Sequence, residues 1–309
     1  SATVSARTCW AAYAVALASI TAAAPSLATL ASSLITTFEA GPLFQSLLLD
    51  IGATLIVYLF SFATNNSSVY DPYWCIMPLW LGFYYKSFAP GGFWFYEPRE
   101  TMCIVLLWVW AVRFFIGIPW EGWTVGLGRE DWRYSKFRGQ MPSVAYWVFS
   151  LSSFHLTPTL LVFAALAPAG RVILQGSSAP PLNALDAVAA FLTFAGIAIE
   201  GIADAQLRHF RRVRADRTTC IVGLWRWSRH PNYCGECIFW TGLLMFGLSS
   251  GAVTNEPVLA IGSLLVWVFF RFASVPLMDD RSLECKRHGF EVTMRSVSPL
   301  LLWPPRNGI

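Results

Sequence analysis

Seven apolar windows fall near residues 10–33, 43–63, 101–119, 144–168, 183–203, 233–250 and 257–277. Each approaches the roughly 20 residues with which a helix crosses the hydrocarbon core of a bilayer. An eighth stretch, Tyr73 to Phe88, is shorter and rich in Trp and Tyr; it is counted here as a further crossing, with a tilted, partial or interfacial segment as the other reading. The windows predict an all-α fold, a polytopic transmembrane helical bundle of seven to eight spans. Composition agrees: 55% of the residues are hydrophobic, 13% are charged and the mean hydropathy is +0.50, which excludes reading the 309 residues as two soluble domains.

Charge orders the loops. With eight spans, most of the 22 lysines and arginines fall on one side, in Arg7 and the segments 129–138, 208–229 and 281–306. The opposite loops, 34–42, 89–100, 169–182 and 251–256, hold only Arg99 and Arg171 beside Glu39, Glu97, Glu100 and Glu256. Positive loops mark the cytosolic or matrix side, so an endoplasmic reticulum or mitochondrial inner membrane is expected. The formal net charge is only +4, and topology accounts for the basic loops, which argues against nucleic-acid binding.

The densest chemistry lies in Gly223 to Gly242, GLWRWSRHPNYCGECIFWTG. Ser228 and Pro231 are helix-start residues, because a hydroxyl caps free amides and proline loses no hydrogen bond in the first turn. The helix is expected to open near Pro231, and with Arg226 and Arg229 its free amides would hold an anion at the membrane boundary. Glu236 follows one turn inside, on the face of Asn232 and Tyr233; a carboxylate there needs partners or a ligand. A second reading makes Arg226, Arg229 and His230 a juxtamembrane basic cluster at the lipid headgroups.

Glu200, Asp204, Arg208 and Arg211 follow at helical spacing and line one face as their span leaves the membrane. They read either as self-neutralising salt bridges or as part of a ligand site. Asp50 is an intramembrane functional carboxylate or lies close enough to the boundary to be hydrated. Asp71 is read as a helix cap. Arg113 and Arg271 should face a cavity or a carboxylate, or snorkel to the interface. Arg129 to Gln140 reads as a salt-bridged closure over a helix end. His155 is a satisfied core histidine or a proton donor. Cys234 and Cys237 form a CxxC with no second pair, so no metal site is assigned and the cysteines are read as small apolar packing residues.

The SRHPNYxGE string from Ser228 to Glu236 resembles the membrane reductases built on the steroid 5-alpha-reductase C-terminal domain, most closely an uncharacterised bacterial and eukaryotic branch. Three further blocks match in order: Asp71 to Trp74 (DPYW), Arg129 to Tyr134 (REDWRY) and Glu200 to Phe210 (EGIADAQLRHF). The resemblance covers residues 70–309 and leaves 1–69 as N-terminal transmembrane helices outside it. A shorter RHPxY core is also similar to isoprenylcysteine carboxyl methyltransferases, which bind S-adenosylmethionine.

The resemblance implies a cofactor site at the basic-side mouth of the C-terminal half. NADPH would lie on Glu200, Asp204, Arg208, Arg211, Arg226, Arg229, His230, Asn232, Tyr233 and Glu236, with Tyr233 or His155 as proton donor to a sterol or another lipidic enone arriving from the bilayer. One departure stands in the tail, where Phe290 and Thr293 occupy positions at which relatives commonly carry tyrosines. A non-catalytic accessory subunit of an organellar membrane complex is the alternative, docking other membrane subunits through the Ala-, Ser- and Thr-rich N-terminal segment; a methyltransferase is a lesser one. Membrane lipids are expected partners. The chain begins at Ser1, and a removed transit or signal peptide is one expectation.

Overall fold

The computed structural model describes residues 6–34, 41–94, 96–117, 130–214, 218–285 and 287–306. They form helices α1 Ala6–Leu34, α2 Pro42–Ala63, α3 Tyr73–Lys86, α4 Pro98–Gly117 and α5 Trp132–Arg138. These are followed by α6 Ser143–Ser178, α7 Ala184–Val213, α8 Pro231–Ser249, α9 Pro257–Glu284 and α10 Phe290–Ser296. Within the described residues every apolar window folds as helix, and the protein is an all-helical membrane protein. Among the described residues four helices, α2, α6, α7 and α9, are long and apolar enough to cross a bilayer.

Counting Tyr73 to Phe88 as a full crossing needs correction. Helix α3 has 14 residues, about 21 Å at 1.5 Å per residue, short of a hydrocarbon core about 30 Å thick. Its Tyr73, Cys75, Met77, Leu81 and Tyr85 are buried in protein. Arg171, assigned above to a loop, lies inside α6, whose helical path continues beyond it.

The chain divides into two compact units, Ser1–Ala179 and Pro180–Ile309. In the first, α2 carries a polar stripe at helical spacing, and its members meet partners from α3 and α6. Ser46 Oγ lies 3.0 Å from Tyr85 Oη, Tyr73 Oη donates to Asp50 Oδ1 at 3.0 Å, and Thr54 Oγ1 lies 2.8 Å from Thr159 Oγ1. Asp50 is therefore a buried, hydrogen-bonded carboxylate; the hydrated reading is corrected, because a phenol replaces water. Lys86 Nζ meets Glu100 Oε1 at 2.7 Å with both side chains fully buried, so each charge compensates the desolvation of the other.

The REDWRY block is also structural from Glu130 onward, while Arg129 lies outside the described residues. Glu130 accepts from the backbone N–H of Ser67 at 2.9 Å and pairs with Arg138 at 2.6 Å. Asp131 caps α5 by accepting from the N–H of Arg133 at 2.9 Å. Asp71 departs from its expected role: α3 has no side-chain cap, and Asp71 instead accepts a short hydrogen bond from Tyr134 Oη. Burial pushes its carboxyl up to about 7 against the pull of Arg133. His155 sits in a π-helical turn, Ser150–Leu156, within α6, with Nδ1 2.9 Å from the Ser150 carbonyl and Nε2 3.1 Å from Ser61 Oγ. Both ring nitrogens are occupied, as for a satisfied core histidine.

In the second unit, Gly196, Gly235 and Gly242 let α7 and α8 pack at backbone contact. A Cβ at Gly196 would lie 2.5 Å from the N of Phe239 and 2.6 Å from the Gly235 carbonyl; one at Gly242 would lie 2.5 Å from the N of Thr193. Small residues let membrane helices approach this closely. The approach sets Glu200 against Gly235, where an added Cβ would stand 2.7 Å from Glu200 Cγ. Asn183 caps α7 reciprocally with Asp186.

Candidate functional site

Helix α8 opens at Pro231, its first residue, as expected. Ser228 departs from its expected capping role: its hydroxyl donates to the Leu300 carbonyl at 2.8 Å and accepts from the N–H of His230 at 3.1 Å, tying the turn before α8 to the C-terminal segment. The close packing of α7 and α8 then sets the polar residues of the two helices side by side. Asn232 Nδ2 donates to Asp204 Oδ1 at 3.2 Å, while Asn232 Oδ1 accepts from the N–H of Tyr233 at 3.0 Å. The carboxylate thus fixes which way the amide points. Glu200 and Glu236 are both buried, and Glu236 accepts from Trp240 Nε1 at 2.8 Å.

A cavity of about 90 Å³ opens among α7, the loop before α8, α9 and the C-terminal segment. Of the residues expected at the site, Arg211, Arg229, His230, Asn232 and Tyr233 line it. Glu200, Asp204, Arg208 and Glu236 are not among its lining residues, although Asp204 reaches it through Asn232. Arg226 is exposed at the end of a 3-10 turn, Gly223–Arg226, and Arg208 is half-buried. His155 belongs to the other compact unit.

Arg229 is committed to the protein itself. Its guanidinium donates to Asp279 Oδ2 at 2.7 Å and to the carbonyls of Met294 and Val297 at 3.0 and 2.9 Å, so it clamps the C-terminal segment onto α9. Asp279 also meets His230 Nε2 at 2.9 Å. The His230 ring stacks on Tyr233 with centroids 5.3 Å apart and planes 13° off parallel, and Tyr233 in turn packs 4.8 Å from Phe270. The phenol at the cavity wall is held on both sides.

Two residues here were not singled out from sequence. Asp279 organises Arg229 and His230 from about fifty positions away, and nothing local to an Asp-Asp-Arg run announces that. Arg287 lines the cavity with Arg211, placed by its own N–H bonded to the Ser282 carbonyl at 3.1 Å and by Thr219, which donates through both N–H and hydroxyl to the neighbouring His288 carbonyl. Burial pushes the Arg287 guanidinium pKa down, and Arg211 and Arg281 push it further the same way. Phe290 and Thr293 also line the cavity, so the tail positions without tyrosine are part of its wall.

Arg113 and Arg271 lie outside this wall. Arg113 is half-buried with its guanidinium 5.9 Å from the Phe114 ring centre; Arg271 is exposed over Phe272, as a snorkelling side chain would be.

The structure thus defines a helical membrane protein with a cation-lined polar cavity in its C-terminal unit. It belongs to DUF1295, a family described as proteins of unknown function, whose family model matches residues 57–297. An uncharacterized protein of Schizosaccharomyces pombe, C594.04c, is 25% identical over 253 residues, spanning 75% of this chain and 70% of that one. No solved structure matches.

Proposed function

We propose that the protein is a membrane-embedded, NADPH-dependent reductase of a carbon-carbon double bond in a sterol or another lipidic enone. The observation that carries this reading is the cavity wall itself, where three arginines, an oriented Asn232 and a stacked Tyr233 converge and no carboxylate is among the lining residues. Such a wall suits an anionic cofactor: guanidiniums take phosphates, and an amide whose orientation Asp204 fixes can recognise a carboxamide. At about 90 Å³ the cavity has room for a phosphate-sized group, while whole drug-sized ligands occupy about 300 Å³ or more; the rest of a dinucleotide would lie along the open mouth.

The cofactor would supply a hydride to the β-carbon of the enone. The chain's part is to hold the reactants dry and close, and to protonate the α-carbon or polarise the carbonyl. Tyr233 is the phenol placed to donate, with His230 stacked on it and Asp279 behind. Family resemblance to the steroid 5-alpha-reductase domain supports the reductase over the S-adenosylmethionine reading, and a wall of arginines disfavours a sulfonium cation.

The second reading, a reductase-derived accessory subunit, is favoured by Phe290 and Thr293, which give the wall no phenols at those two positions. In that case α1 would dock a neighbouring membrane subunit. Under either reading the basic loops face the cytosol of an endoplasmic reticulum membrane or the matrix of a mitochondrion.

Incubating nanodisc-held protein with NADPH and a panel of sterol and linear enones tests the choice. Loss of reduced nicotinamide in step with saturated ketone is the expected result and should fall in Tyr233→Phe. NADPH binding with no turnover on any enone would favour the accessory reading.

A further inference from the structure

The turn before α8 divides its residues between two surroundings. Arg229 and His230 point inward to Asp279, whereas Arg226 and its neighbour Trp227 stay exposed. The C-terminal segment brings two more apolar side chains to this turn. Leu301 is 53% exposed and Trp303 67%, beside Trp227 at 46%. Backbone bonds fix the alignment: the N–H of Arg229 donates to the Ser298 carbonyl at 2.9 Å and the N–H of Trp303 to the Trp227 carbonyl at 3.1 Å. Ser228 Oγ donates to the Leu300 carbonyl between them. Arg306, also exposed, closes the segment with its N–H on the Ser296 carbonyl at 2.8 Å.

A lone exposed apolar side chain is ordinary, but two indoles and a leucine gathered on one turn mark a contact surface. The backbone indicates what covers it. Residues 297–306 form no helix, and three of the ten are prolines, Pro299, Pro304 and Pro305, which carry no N–H. The N–H groups of Trp303 and Arg306 and the carbonyls of Ser298 and Leu300 are bonded within the protein. Irregular backbone suits a water-poor layer where its polar groups are satisfied or absent. Tryptophan favours the membrane–water boundary, and the exposed Arg226 and Arg306 complement anionic headgroups on the side where the basic loops gather.

We propose that Trp227, Leu301 and Trp303, flanked by Arg226 and Arg306, form an interfacial anchor that seats the C-terminal segment in the headgroup layer of an anionic bilayer. Arg229 holds the Val297 carbonyl of the same segment from inside, so bilayer and clamp act on one stretch from opposite sides. The anchor does not depend on the reductase reading.

The test uses the full chain with p-benzoylphenylalanine placed at Leu301, at Trp303 or, as a lipid-facing reference, at Phe191, which is 68% exposed on the spanning helix α7. Nanodiscs hold phosphatidylcholine with a minority of phosphatidylserine, and mass spectrometry identifies the adducts formed on irradiation. Lipid adducts are expected at Leu301 and Trp303 as at Phe191. At the two tail positions phosphatidylserine should exceed its share of the bilayer about threefold. In an Arg226→Gln, Arg306→Gln double variant that excess should vanish while the lipid adducts persist.

Lipid adducts at Phe191 with none at Leu301 or Trp303 would place the segment in water and overturn the anchor. Adducts to a second protein chain in place of lipid would overturn it as well, in favour of a protein contact. A phosphatidylserine excess unchanged in the double variant would overturn the part assigned to the two arginines. In detergent, without a bilayer, the double variant should melt with wild type; a lower melting point would mark the arginines as structural and overturn their lipid role.

Discussion

At the residue scale, Asp71 and Asp279 show how one carboxyl type takes two roles. Asp71 sits outside the spans, half-buried against Tyr134, with its carboxyl pushed up to about 7 from 3.8. The folded state therefore holds the proton more tightly than the unfolded chain, and stability is full at low pH and falls as pH rises between about 4 and 7. Asp71→Asn should flatten that slope and melt no lower than wild type at pH 8; an unchanged pH profile of melting in detergent would contradict this. Asp279 is the opposite case, a carboxylate held by a guanidinium and an imidazole with side-chain exposures of 6% for Asp279 and 9% for each partner. Asp279→Ala leaves Arg229 buried without its counter-charge, a loss on the order of 3–5 kcal/mol. The C-terminal segment should then become cleavable by protease under conditions in which wild type resists.

At the scale of elements, the α7–α8 pair depends on glycine. Gly242→Ala places a methyl 2.5 Å from the Thr193 backbone nitrogen, so the helices must part, at about 1–3 kcal/mol and with the seating of Glu200 on Gly235 and of Asp204 on Asn232 disturbed. Gly82→Ala in α3, where an added Cβ meets nothing within 4 Å, should instead stabilise by about 0.5–1 kcal/mol. Equal melting shifts for the two variants would refute this packing argument.

Much at this scale was legible in the chain. Apolar length located the long helices but not the seven-residue α5 and α10, Pro231 marked the start of α8, and four-residue spacing put Glu200, Asp204 and Arg208 on one face. What stayed hidden were contacts without a local signal. Nothing near Asp50 says that Tyr73 will reach it, and no spacing rule joins Arg229 to Asp279 or Arg211 to Arg287. Asp71 looked like a cap because it precedes a helix, yet its partner Tyr134 lies 63 positions away. Arg171 looked like a loop residue because hydropathy drops there, while the helix continues through it.

At the scale of the molecule, each compact unit has its own polar interior. The first encloses the Asp50, Tyr73 and His155 hydrogen bonds; the second encloses the cation-lined cavity. Membership of DUF1295 over residues 57–297 covers parts of both. The proposed function makes the second unit's cavity a nucleotide site. Calorimetry of nanodisc-held protein with NADPH, with S-adenosylmethionine for comparison and Asn232→Ala as control, tests it most directly. NADPH should bind, S-adenosylmethionine should not, and Asn232→Ala should weaken NADPH about tenfold or more. NADPH failing to bind wild type, or binding Asn232→Ala as tightly, would contradict it.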